Sequence, residues 1–84
     1  LLVVSLVVQM DSWVQIDASD GRTLTSRLFL PGDIFELSNY QKVSISTGNA
    51  GGLILNFNDG SSKSLGKIGE IIRDVPLNKF KFVE

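Results

Sequence analysis

The stretch most suited to chemistry is Ser46-Thr47-Gly48-Asn49-Ala50-Gly51-Gly52-Leu53, in which three glycines and an asparagine lie between two apolar runs. Such a loop can hold an anion on its backbone amides when a helix follows, and a nucleotide loop also needs a Gly-Lys-Ser/Thr ending. Here the loop runs into Leu53-Ile54-Leu55, which reads as a strand, and no lysine follows. A nucleotide site is therefore not expected. Two readings remain. Either the glycines supply positive-φ or closely packed backbone in a strand connection, or Asn49, Gly51 and Gly52 form a contact for a ligand or partner.

The carboxylates and hydroxyls support no reaction. Asp17 and Asp20 flank a turn, where such side chains cap local backbone donors, and Asp17 to Gly21 lacks the alternating ligands and terminal glutamate of a calcium loop. Glu70, Asp74 and the serines at 61, 62 and 64 have no base or second carboxylate at a diagnostic spacing. The chain has no histidine and no cysteine, which removes the commonest general base, the commonest metal ligand, thiolate zinc sites and disulfides. No enzyme, cofactor or metal is expected.

Binding is the better prospect. Trp13 alternates with Val14 and Ile16 and shares a face with Gln15 and Asp17, so it either covers an edge or stands exposed. An exposed tryptophan is an anchor for a protein interface or a stacking surface for a sugar. Asp11, at the head of the same Asp11-Ser12-Trp13-Val14 stretch, and Tyr40 are the accompanying candidates.

The elements that must position these residues follow a period of two. Leu2, Val4, Leu6, Val8 and Met10 would share one face of a first strand. Ser12 to Asp17, Arg22 to Leu30 with Leu24, Leu28 and Leu30 in phase, Ile34 to Leu37, Val43 to Thr47 and Leu53 to Phe57 follow. Asp20-Gly21, Pro31-Gly32 and Asn58-Asp59-Gly60 are the turns. Ser61 to Leu65 reads as a return strand, Ile71 to Leu77 as a strand interrupted by Pro76, and Lys79 to Val83 as a closing strand with Phe80 and Phe82 on one face. No window has a helical pattern. Eight or nine short strands in 84 residues predict a single all-β domain, an antiparallel sandwich or small barrel.

A net charge of -1 gives no field for nucleic acid, and the eight apolar-rich residues at the start are far short of the roughly 20 that a membrane helix needs. The start at Leu1 is read as that of a fragment or processed form.

Asp11-Ser12-Trp13-Val14, Asp20-Gly21, Leu30-Pro31-Gly32, Gly48-Asn49-Ala50-Gly51-Gly52-Leu53, Leu65-Gly66 and Gly69-Glu70 before Ile72-Arg73 follow one another in an order that resembles the C-terminal periplasmic β domain of RodZ-like bacterial cell-shape proteins. The resemblance implies a parent protein that crosses the inner membrane once, with this domain on the periplasmic side. It also implies a cytoplasmic helix-turn-helix domain on the MreB cytoskeleton and a role linking that filament to cell-wall elongation and rod shape. Asn39 to Lys42 and the serines of 61 to 64 depart from the family's pattern. The expected function is non-catalytic contact with envelope or elongation proteins, through edge strands or the Trp13 surface. The alternative is a peptidoglycan-binding module, with Trp13 or Tyr40 on a sugar and Asn49 bonded to it. A flat tryptophan among polar groups would favour the glycan; an apolar strip along a sheet edge would favour a protein.

Overall fold

The computed structural model describes residues 3–37 and 42–80. Tyr40 and Phe82, and with them most of the proposed closing strand, lie outside the described residues. Among the described residues eight strands run in chain order: β1 Val3–Val8, β2 Ser12–Ala18, β3 Thr23–Phe29, β4 Ile34–Glu36, β5 Val43–Thr47, β6 Leu53–Phe57, β7 Ser62–Ser64 and β8 Ile72–Pro76. They form two antiparallel sheets, ordered β4-β1-β6-β7 and β3-β2-β5-β8, so the expected all-β sandwich is the fold.

The alternation of β5 and β6 places Val43, Ile45, Leu53, Leu55 and Phe57 in the core between the sheets, and β2 adds Val14 and Ile16. Two strands depart from the simple period. In β1 the register slips between Val3 and Ser5, so Val3, Leu6 and Val8 are the fully buried residues, Val4 is only half-buried, and Met10 is exposed. A bulge adds one residue and reverses the phase on one side of it. In β3, Phe29 enters the core while Leu28 and Leu30 are about half exposed, contrary to the leucine phase expected from sequence. A second bulge, opposite Ile16 and Asp17, turns Leu24 back against the core. Residues Leu77–Phe80 form a 3-10 turn rather than the start of a last strand, and still bury Leu77 and Phe80.

The β2–β3 and β6–β7 hairpins use one device. In each, a glycine with positive φ (Gly21, +92°; Gly60, +90°) follows an aspartate and donates to the last residue of the first strand at 3.0 Å. Asp20 accepts the Arg22 N–H at 3.0 Å and Asp59 accepts the Ser61 N–H at 2.9 Å, closing both loops. This is the three-residue hairpin with a left-handed glycine. The Arg22 N–H, and next its guanidinium, lower the Asp20 pKa; the Ser61 hydroxyl, and next its N–H, lower that of Asp59. A carboxylate whose folded pKa is depressed contributes stability above its unfolded value, and that contribution is lost as pH falls through the folded one. A small fall in urea midpoint is thus expected below pH 3.8, the ordinary aspartate value. It should be reduced in the Asp20→Asn, Asp59→Asn double variant.

Candidate functional site

The sequence candidates separate into two groups once placed in the fold. The Gly48 to Gly52 loop makes a 3-10 turn at Ala50–Gly52 and docks on the segment from Gly66 to Glu70. The Ala50 N–H donates to the Glu70 carbonyl at 2.8 Å and the Gly51 N–H to the Lys67 carbonyl at 2.9 Å. Asn49 Oδ1 accepts the Gly69 N–H at 2.7 Å, and Glu70 Oε1 accepts the Lys67 N–H at 2.9 Å. Asn49 is thus engaged in joining two loops. Gly51 is required by close approach: a Cβ there would overlap the backbone of Lys67 and Ile68. At Gly52 a Cβ would stand 2.9 Å from both Asn49 Nδ2 and Ser12 Oγ. Loop geometry therefore gives Asn49, Gly51 and Gly52 an internal structural role, while Asp11 is exposed but does not line the groove described next.

Several of the carboxylates and serines weighed as chemistry are likewise engaged locally. Asp17 accepts Gln15 Nε2 at 3.1 Å and Thr23 Oγ1 at 2.9 Å. The Ser61 hydroxyl donates to Asp59 at 2.6 Å, and that of Ser64 to the Gly66 carbonyl at 2.8 Å. Among the described residues no group of three acidic side chains could hold a metal ion.

Trp13 is the exception. Its side chain is 44% exposed on the outer face of the β3-β2-β5-β8 sheet, in the phase read from its neighbours. Register then builds a row across that sheet. Leu28 of β3 is opposite Trp13, the Gly48 N–H donates to the Trp13 carbonyl at 3.2 Å, and Thr47 pairs with Ile72, which brings Ile71 beside Gly48. Leu28 is 54% and Ile71 64% exposed. Strands two places apart are separated by about 10 Å, and the glycine between them leaves that space open. The result is a groove of about 420 Å³ with Trp13 on one side and Ile71 on the other.

One step along the strands the lining becomes polar, with Gln15, Ser46, Arg73 and Asp74. Asp74 takes a left-handed conformation, φ +50°, and donates its N–H to Ser46 Oγ at 2.8 Å. The register break opposite β5 makes room for that turn of the backbone. Among the described residues Arg73 has no salt-bridge partner. Sequence reasoning singled out Trp13 and missed Gln15, Ser46, Ile71 and Arg73. The available signal was small residues alternating outward along β5 and just past its end (Ser44, Ser46, Gly48), which leave a trough wherever larger neighbours flank them.

The family model for the RodZ C-terminal domain matches residues 5–75, a span that contains the whole groove and, but for the first two residues of β1, both sheets' central strands. The chain belongs to the RodZ C-terminal domain family. Membership supports a RodZ-like role for it. Among curated proteins and solved structures the comparisons found no match. In this RodZ C-terminal domain no helix among the described residues is long and apolar enough to cross a membrane.

Proposed function

We propose that the domain is a non-catalytic interaction module of a RodZ-like protein, held on the periplasmic side of the inner membrane, where its Trp13 groove docks an envelope or elongation protein. The parent would thereby link the MreB cytoskeleton to wall synthesis. The observation that carries this reading is the apolar row Leu28, Trp13, Gly48, Ile71, which leaves three large side chains about half exposed or more on one face. Interface hot spots are dominated by tryptophan, tyrosine and arginine, and Arg73 stands beside the row. Gln15, Ser46, Arg73 and Asp74 beside the indole give the peptidoglycan alternative its support, since a sugar needs both a stacking face and hydrogen-bonding groups.

The test is a titration of the chain, followed through the Trp13 indole and amide resonances, with periplasmic domains of elongation proteins and separately with soluble peptidoglycan fragments. Shifts around the groove with a protein are expected. Shifts with glycan alone would replace this reading by the wall-binding one, and no shifts with either would leave the domain a spacer. Trp13→Ala is expected to weaken the protein contact by about 2 kcal/mol, roughly thirtyfold in Kd. Gly48→Val is a matched probe. A Cβ at Gly48 meets nothing within 4 Å, so the variant should fold while its side chain fills the groove and reduces binding.

A further inference from the structure

Sheet edges expose unpaired backbone groups, and proteins blunt them with short strands, charge, proline or bulges. Among the described residues three of the four sheet edges are blunted. Strands β4 and β7 have three residues each, and Lys63 is central in β7. β8 carries Arg73 and Asp74, breaks register against β5 and ends on Pro76. β3 is different: it has seven residues, no proline and a single charge, Arg27. That guanidinium is turned aside, 3.5 Å from the Asp33 carboxylate and 3.8 Å over the centre of the Phe29 ring.

Alternation identifies the backbone groups that face outward. The Trp13 carbonyl accepts from Gly48, so Trp13 and Gln15 address β5 while Ser12 and Val14 address β3. Phe29 and Arg27, opposite Ser12 and Val14, therefore bond inward, and Ser26 and Leu28 direct their N–H and C=O groups away from the sheet. Past Leu28 the edge is closed by the chain itself, because Arg27 Nη1 donates to the Leu28 carbonyl at 3.2 Å and Asp33 accepts the Leu30 N–H at 2.9 Å. At Leu24 it is interrupted by the bulge. The open window is centred on Ser26.

We propose that this window pairs, antiparallel, with the same window of a second copy of the chain, with Ser26 opposite Ser26. Thr25-Ser26-Arg27, the part of β3 between the bulge and Leu28, is self-complementary about its centre: serine meets serine on the outer face, and Arg27 meets Thr25 on the inner one. Moving the axis to Arg27 would set two guanidiniums opposite each other, which is destabilising, and moving it to Thr25 would bring the bulge at Leu24 into the paired segment. Odd shifts would pair an inward face with an outward one. The Ser26 axis joins the two β3-β2-β5-β8 sheets into one and covers part of Leu28, while the groove between Trp13 and Ile71 stays open.

Sedimentation equilibrium of the chain from micromolar to millimolar concentration should show the mass rising towards twice that of one chain, with the Ser26 and Leu28 amides shifting and gaining protection from exchange. Ser26→Pro removes a donor that lies outside the β2 ladder, so the fold should persist and the dimer Kd rise at least tenfold. Thr25→Arg should also weaken the dimer, and Thr25→Glu should strengthen it, because each faces Arg27 of the other copy only in this register. Trp13→Ala should leave it unchanged, which separates this pairing from docking in the groove. A chain that stays monomeric at millimolar concentration would overturn the proposal, as would a dimer indifferent to Ser26→Pro or to the charge at position 25.

Discussion

Gly51→Ala should unfold more of the protein than any other single methyl addition at a glycine of the loop that follows β5. The added Cβ would lie within the Lys67 and Ile68 backbone, which cannot rotate aside as a side chain would, and the Ala50–Glu70 and Gly51–Lys67 hydrogen bonds hold the two loops at that distance. Overpacking typically costs about 1–3 kcal/mol, and a backbone-on-backbone clash belongs at the top of that range. For a domain of this size that corresponds to a fall in Tm of roughly 12–24 °C. Gly48→Ala is the control, because its Cβ would meet nothing within 4 Å and its Tm should be nearly unchanged. Equal losses for the two variants in thermal unfolding would mean that the loop's conformation, rather than its docking, is what requires glycine.

Phe29→Ala is expected to have a larger effect still. Phe29 is fully buried, meets the Phe35 ring edge-on at 6.4 Å between centroids, and supports the Arg27 guanidinium on its face. Truncation leaves a cavity where the end of β3 crosses to β4, and phenylalanine-to-alanine changes in cores cost about 3–5 kcal/mol. Leu28→Ala, next to it but half exposed, should cost about 1 kcal/mol or less. Urea unfolding of the pair checks the assignment of phase directly: if position 28 were the core residue, the order of the two losses would reverse.

That comparison marks where the sequence stops being legible. The outward face of Trp13 could be read locally, because Val14 and Ile16 alternate with Trp13, Gln15 and Asp17 and no bulge intervenes before Asp17. The Asp-Gly hairpins were legible for the same reason, since donor, acceptor and glycine lie within a few residues. In β3 the three leucines suggested one phase and the single Phe29 the other, and only the bulge at Leu24 reconciles them. The groove's local signature was confined to the small outward residues Ser44, Ser46 and Gly48, for it exists only when β5 lies between β2 and β8, and nothing in any one segment specifies its neighbours. Asn49 illustrates the same limit: the bond that ties its loop to Gly69 spans 20 residues of chain and has no local mark.

The order β4-β1-β6-β7 over β3-β2-β5-β8 also governs how the domain acquires its shape. Only β2–β3 and β6–β7 join neighbours in the chain through tight turns; β1 must wait for β6, β2 for β5, and β5 for β8. The two hairpins can close within about 1–10 μs, but the pairings between them require large loops to close before any contact compensates the lost entropy. Folding of such a topology takes milliseconds to seconds. β2 and β3 also precede β8 by more than 40 residues in the chain, so the Trp13 and Leu28 side of the groove needs only a local hairpin, marginal by itself, whereas the Ile71 side needs the last strand of the sheet.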